Sequence, residues 1–262
     1  MDIKGKAAIV TGASSDDGIG SECAKILATR GCNVVVNYST NKAGADKIVE
    51  FCKAQGSDAI AVQADVSKDE DCQKLVKACV DKWGRLDVLV NNAATTKPIP
   101  HRRMDLLNKD EFERIFSVNV IGTYQMTRAA APHLKKSGDA AIVNISSVGA
   151  MRAGGSSMAY TASKAAINNL TLSSARALAP EVRVNALCPG GMLGTWTRKI
   201  LTDKQYDERV ERAKTEFPLQ KGIWPRDVAV AALFLVEGAT TMTGEAIRMD
   251  CGQHLGDTSN KT

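Results

Sequence analysis

Ala7-Ala8-Ile9-Val10-Thr11-Gly12-Ala13-Ser14-Ser15-Asp16-Asp17-Gly18-Ile19-Gly20 decides the fold. Four apolar residues read as a buried strand, the glycine-rich segment as a turn, and the amphipathic stretch through Arg30 as a helix. A strand that turns through glycines into a helix lets backbone N–H groups approach a pyrophosphate, whose charge the helix N-terminus favours. Glycine loops also serve as plain turns. Here strand, turn and helix stand in the order the mechanism needs, so the segment reads as a dinucleotide site.

Outward from this unit the alternation repeats. Runs rich in Val, Ile and Ala fall at 33–36, 59–63, 88–90, 141–145, 182–186 and 246–249, and helical periodicity at 46–54, 69–83, 110–134 and 159–178. Strands nearly free of charge and separated by helices predict an α/β fold: a doubly wound, mostly parallel seven-stranded sheet with helices on both faces. Ligands of such sheets sit outside the carboxyl ends of the strands. Gly12, Asp65, Asn92, Ser147 and Pro189 each follow a predicted strand and are expected at that edge. Asp65 has a plainer reading too, as the cap of a helix beginning near Ser67. The segment 192–218 breaks the pattern, with Trp196, Tyr206 and Phe217 set among Lys199, Lys204, Arg209 and Arg212, and is expected to be a substrate lid.

With 262 residues, 44% hydrophobic and 24% charged, the chain is expected to form one domain over 1–256, followed by a short polar tail at 257–262. No apolar run reaches membrane-spanning length and the first strand begins too soon for a signal peptide, so a soluble cytoplasmic protein is expected. The net charge of +5 is dispersed, without the basic block that nucleic acid would require. Seven cysteines with no Cys-x-x-Cys pair suit reduced thiols, and three histidines without ligand spacing argue against a metal.

Tyr160-Thr161-Ala162-Ser163-Lys164 puts a phenol and an amine four residues apart, on one face of a helix, with Ser147 thirteen positions before Tyr160 and Asn119 further back. A phenol that trades its proton near neutral pH needs its pKa drawn down from about 10. An ammonium at ~4 Å, with an effective dielectric of ~20, would supply roughly 4 kcal/mol. In isolation such a pair is more often a core tyrosine beside a solvated lysine; the surrounding motifs weigh against that.

Together the motifs resemble the short-chain dehydrogenase/reductase family, from about Lys4 to about Leu255. The resemblance rests on the glycine turn, Asp65-Val66, Asn91-Asn92-Ala93-Ala94, Asn119 in Ser117-Val118-Asn119-Val120, Asn144-Ile145-Ser146-Ser147, the Tyr160/Lys164 pair, Pro189-Gly190 and Ile247-Arg248-Met249-Asp250-Cys251-Gly252, and is strongest to 3-oxoacyl-(acyl carrier protein) reductases. It implies a Rossmann-type fold, commonly as a homotetramer, and hydride transfer between a nicotinamide and a small-molecule ketone or secondary alcohol. It implies Tyr160 as general acid or base, Lys164 as the group that lowers its pKa and holds the nicotinamide ribose, Ser147 as donor to the carbonyl oxygen, and Asn119 as anchor of a water leading to Lys164. Ser146 competes with Ser147, but strand alternation favours Ser147. Asn119 has an alternative role in satisfying backbone groups inside a helix. Cofactor contacts are implied for Gly12, Ser14, Ser15, Gly18, Ile19 and Gly20; for Asn37, Tyr38 and Ser39; for Asp65 and Val66; for Asn92, Ala93 and Ala94; for Tyr160 and Lys164; and for Pro189, Gly190, Met192 and Thr195.

An acid ending the second strand would bind the adenosine ribose and repel a 2′-phosphate. Asn37-Tyr38-Ser39-Thr40-Asn41-Lys42 stands there instead, so NADP(H) is expected, with NAD(H) as the alternative. Three features depart from the family pattern. The glycine turn is two residues longer than Thr-Gly-x-x-x-Gly-x-Gly, the excess falling at Asp16-Asp17; Ala94 replaces a glycine; and Thr195 is displaced by one place. Lys135-Lys136 would suit an acidic carrier protein, but Glu181 stands against it. Two other functions stay open: an NAD-dependent sugar, cyclic alcohol or steroid dehydrogenase, and a nucleotide-binding sensor without turnover.

Overall fold

A computed structural model describes residues 1–256, so the expected tail at 257–262 lies outside the described residues. The strands are β1 (Ala7–Val10), β2 (Asn33–Tyr38), β3 (Ala59–Gln63), β4 (Val88–Asn91), β5 (Ala140–Ile145), β6 (Val182–Pro189) and β7 (Ala246–Met249). They form one sheet in the order β3-β2-β1-β4-β5-β6-β7, and every neighbouring pair is parallel. The order reverses at β1, which places the end of β1 at the crevice where such sheets bind ligands.

The helices are α1 (Ile19–Thr29), α2 (Lys42–Ala54), α3 (Asp69–Trp83), α4 (Lys109–Phe116), α5 (Gly122–Ser137), α6 (Met158–Leu178), α7 (Thr195–Ile200), α8 (Asp203–Thr215) and α9 (Pro225–Glu237). One apolar core joins the sheet to α1, α2 and α9, and a second joins the opposite face to α3, α5 and α6. β1 feeds both, sending Ala8 and Val10 to the first and Ala7 and Ile9 to the second. A strand covered on both sides has no polar alternation, which is why Ala7–Val10 reads as unbroken apolar sequence.

At the amino ends of the strands, the fully buried carboxylate of Asp87 accepts hydrogen bonds from Ala7 N (2.9 Å) and from the Arg85 guanidinium (2.7 and 2.8 Å), and also from the Ser137 hydroxyl (2.5 Å). This knot ties β1, β4 and α5 at the end remote from the expected site.

Two stretches differ from the sequence expectation. The helix expected over 110–134 is two helices, α4 and α5, joined by a π-helical bulge over Ser117–Ile121. Asn119 sits in that bulge with its amide hydrogen-bonded outside the helix, and one extra residue per turn is what lets it point there. The segment 192–218, expected to be a lid, is largely helical, as α7 and α8. Thr202 and Gln205 cap α8 reciprocally. The lid closes at its base, where Leu193 N donates to Ile223 O (2.8 Å) and Ile223 N donates to Gly191 O (3.3 Å).

Candidate active site

Three elements converge at the carboxyl edge. β5 ends at Ile145 and delivers Ser146 and Ser147; α6 begins one turn before Tyr160; the bulge before α5 brings Asn119. Ser157 starts α6 by accepting from Tyr160 N (3.3 Å), so the N-cap itself fixes where the tyrosine emerges.

Ser147 and Tyr160 meet through their hydroxyls, and Ser147 Oγ also accepts from Gly149 N (3.1 Å), which fixes its rotamer. Ser146 is turned away and donates to Lys164 O (3.1 Å). Lys164 is 2% exposed; its Nζ donates to Ile145 O at 2.7 Å and lies 5.5 Å from the centre of the Tyr160 ring. Burial depresses the ammonium to about 8. Burial likewise pushes the Tyr160 phenol up, to about 12, although the hydrogen bond from Ser147 pulls the other way. The expectation that Lys164 draws the phenol down is therefore corrected: shielding from water outweighs it, because the ammonium is directed at a backbone carbonyl rather than at the phenol oxygen.

Asn119 is fully buried. Its Oδ1 accepts from Thr95 N (2.8 Å), and its Nδ2 donates to Thr95 O (3.1 Å) and to Ser163 Oγ (2.9 Å), while Ser163 Oγ donates to Tyr160 O (2.7 Å). The amide is spent on these groups and does not face Lys164, so its direct part is to hold the loop after β4 against the helix bearing Tyr160. Ser157, Ser163 and Thr95 are site residues that the sequence reading passed over. Only Ser157, three residues before Tyr160 at a helix start, carried a local signal.

The glycine turn fits a dinucleotide. Gly12 has φ +62°, and a Cβ there would lie 2.9 Å from Ala93 Cα; a Cβ on Gly20 would lie 2.5 Å from Asn92 Nδ2. Asn92 holds the turn by donating to Thr11 O (2.8 Å) and Gly12 O (2.9 Å), while Thr11 Oγ1 accepts from Asn92 N and Ala93 N. Gly18 precedes α1, so Ile19 and Gly20 open a helix whose free N–H groups face the crevice. Ala94 keeps an ordinary negative φ, and no glycine is needed there.

Other expected cofactor residues have different uses. Asn37, 2% exposed, accepts from Gly12 N (3.0 Å) and donates to Ala64 O (3.0 Å); it shapes the turn instead of offering donors to solvent. Tyr38 packs into the core, and Ser39 is the exposed residue that follows β2. Asp65 accepts from Ser67 N (3.0 Å) and Ser67 Oγ (2.7 Å) in the turn before α3, and Val66 O accepts from Gln125 Nε2 (3.0 Å). Pro189 ends β6, Gly190 N donates to Met249 O (2.7 Å), and Met192 O accepts from Thr197 Oγ1 (3.0 Å) and Arg209 Nε (2.9 Å). A cavity of about 240 Å³ lies between Ser15 and Asp16 of the turn, Asn41 and Lys47 of the α2 region, and Thr195 and Lys199 of the lid. Ser14 O accepts from Asn41 Nδ2 (2.6 Å) beside it. Among the described residues no group of three or more His, Cys, Asp or Glu is gathered as for a metal, and no helix is long and apolar enough to cross a membrane.

A doubly wound sheet with a glycine cradle at its switch point and a serine-tyrosine-lysine cluster beside it defines a nucleotide-dependent type of oxidoreductase site. The family model described as enoyl-(acyl carrier protein) reductase matches residues 12–254. A ketoacyl reductase assigned to the granaticin polyketide synthase of Streptomyces violaceoruber is 40% identical over 248 residues, covering 95% of this chain and 96% of the relative. Glucose 1-dehydrogenase 2 of Bacillus subtilis is 35% identical, covering 97% and 96%. A solved structure from Burkholderia xenovorans, assigned to the short-chain dehydrogenase/reductases, superposes with a TM-score of 0.88 at 37% identity, covering 96% of this chain and 98% of that one. The chain belongs to the short-chain dehydrogenase/reductase family, and is an oxidoreductase acting on carbonyl or CH–OH groups.

Proposed function

We propose that the protein reduces a small-molecule ketone to a secondary alcohol with NADP(H), with 3-oxoacyl compounds as the first substrate class. The observation that carries this reading is the hydroxyl pair of Ser147 and Tyr160 beside buried Lys164, with the phenol pushed up to about 12. A phenol of that pKa keeps its proton at neutral pH, as an acid for carbonyl reduction must.

The bound nicotinamide supplies the hydride. Ser147 Oγ donates to the carbonyl oxygen as negative charge develops on it. Tyr160 gives its proton to the same oxygen, and the Lys164 ammonium, still charged below about pH 8, stabilises the phenolate left behind. Gly12, Gly18, Ile19 and Gly20 would hold the pyrophosphate at the start of α1, and Ser39, Asp65, Asn92, Ala93 and Ala94 would flank the adenosine half. Ser15 and the two ammonium groups at the 240 Å³ cavity, Lys47 and Lys199, favour a 2′-phosphate there. Asp16 opposes it, but Lys47 stands 3.9 Å from that carboxylate and offsets its charge.

The test is kcat/KM with NADPH against NADH for a 3-oxoacyl thioester and a cyclic ketone and, in the reverse direction, with NADP+ against NAD+ for a sugar. At least tenfold preference for NADPH with the thioester is expected. A preference for NAD+ over NADP+ with a sugar would support instead the NAD-dependent dehydrogenase reading, which the similarity to glucose 1-dehydrogenase 2 keeps in view. Binding of nucleotide without consumption over all substrates would support the sensor. We also infer a homotetramer in the cytoplasm: Ile121, Tyr124 and Leu172 are exposed apolar residues about α5 and α6, which suits burial against other copies. Light scattering that returns a monomer at micromolar concentration would overturn the assembly.

A further inference from the structure

The two additional residues of the glycine turn have separate partners. Asp16 is held toward α1 and α2, its carbonyl accepting from Lys25 Nζ (3.0 Å) and its carboxylate facing Lys47. Asp17 points the other way, across the crevice. Both of its carboxylate oxygens accept from Thr195 N, at 3.2 and 3.1 Å, although the two residues are 178 positions apart.

Thr195 is the first residue of α7, whose own N-cap, Gly194, has no side chain to offer. Gly194 N is held from below by the Tyr206 hydroxyl, which accepts at 3.2 Å, and Tyr206 is buried with the Arg198 guanidinium 3.9 Å over its ring. The start of α7 thus has one side-chain partner within the lid, Tyr206, and one outside it, Asp17. The next residue, Gly18, is the N-cap of α1.

We propose that Asp17 is a positioning residue that anchors the substrate lid to the nucleotide-binding turn, so that the order of the lid depends on an element the nucleotide itself touches. The nucleotide half of the statement rests on the function proposed above; the anchoring half does not. Asp17 donates nothing and takes no part in proton transfer. Its carboxylate fixes where α7 starts, and with it the placement of the exposed Trp196 that follows. Coupling of this kind is reciprocal in binding: whatever the nucleotide does to Asp17 is felt by the lid, and the ordered lid returns the effect to the nucleotide.

Hydrogen exchange on the full chain, without nucleotide, tests the anchor directly. In Asp17→Ala the peptide over 195–200 should exchange about tenfold faster, the scale of a lost cap, while peptides from α1 and α6 keep wild-type rates. Asp17→Asn, which retains an oxygen acceptor, should fall between. Thr195→Pro removes the same hydrogen bond from the donor side at a position where a helix start accepts proline, and should add almost nothing to Asp17→Ala. In turnover, Asp17→Ala should raise the KM for the carbonyl several-fold, as expected when the segment over the substrate is less ordered. Unchanged exchange over 195–200 in both Asp17→Ala and Thr195→Pro overturns the proposal. Equal acceleration in the α1 peptide overturns it too, because Asp17 would then merely stabilise the turn. If exchange responds as stated but no ketone is reduced, the anchor stands and the proposed reaction falls.

Discussion

Lys164 donates to the carbonyl of Ile145 at 2.7 Å, across from the tyrosine whose chemistry it is expected to serve. The bond pins the ammonium to the end of β5, so its charge acts on Tyr160 through space, at 5.5 Å from the ring centre. It also keeps a charged amine in a place nearly free of water, which has a thermodynamic signature.

The folded protein releases the Lys164 proton near pH 8, whereas the unfolded chain keeps it to the ordinary 10.5. Between those values the unfolded state binds more protons, so this group makes stability rise with pH, by of order 3 kcal/mol in all. Buried thiols such as Cys23 and Cys79, pushed up from 9.0 to about 12, act with the opposite sign above pH 9. Urea unfolding of wild type and Lys164→Met from pH 7 to 10 should therefore give a difference that shifts steadily in favour of wild type as pH rises. A difference independent of pH would place the folded pKa of Lys164 near its ordinary value.

Tyr160→Phe should lower kcat for reduction by about 10²- to 10⁴-fold, the usual worth of a positioned proton donor. Nucleotide affinity, measured by fluorescence titration, should stay within about twofold, because the phenol oxygen meets Ser147 and not the turn. Wild-type turnover by this variant would remove Tyr160 from the mechanism.

The two adjacent serines should separate cleanly. Ser147→Ala is expected to cost about 10²- to 10³-fold in kcat, as loss of a donor to a developing oxyanion does. Ser146→Ala loses a bond to Lys164 O and one with the Cys188 thiol, so its effect should be on stability, of order 1 kcal/mol, with kcat within a few-fold. Steady-state kinetics and denaturant melts on the pair check both halves.

Asn119→Ala leaves Thr95 N, Thr95 O and Ser163 Oγ without their side-chain partner. A loss of about 1–3 kcal/mol in stability is expected, with a fall in kcat and an unchanged pH profile. Ser163→Ala should reproduce part of it, and the double variant should be less than additive, since both act on the placement of Tyr160. A pH profile that moves in Asn119→Ala would mean that the residue relays protons after all.

The legible parts of this molecule were those governed by neighbours in sequence. β1, β3 and β7 fall at their expected residues, and β1 is apolar at every position because it is covered on both faces. The spacing of Tyr160 and Lys164 placed both on α6, but it could not foresee that Lys164 would turn to Ile145, since that carbonyl belongs to another element. The continuous periodicity across 110–134 concealed the bulge for a similar reason: Asn119 is drawn out by Thr95, which nothing local announces. In the lid, Arg198 and Tyr206 are ordered by each other, and α8 carries many charges on its outer face, so its helical period is weak although Thr202-x-x-Gln205 marked its start. Asn37 and Tyr38 read as cofactor donors by position, and only burial reveals that one shapes the turn and the other fills the core.

The hydrogen-bonded base of this segment, where Leu193 meets Ile223, means that the insert departs after β6 and returns ahead of α9 at a single doorway. A segment whose ends already touch can be lengthened, trimmed or exchanged at small entropic cost to the scaffold beneath it. New substrate preferences are therefore to be sought by grafting foreign cassettes between these two residues, provided each cassette brings an amide that Asp17 can grip.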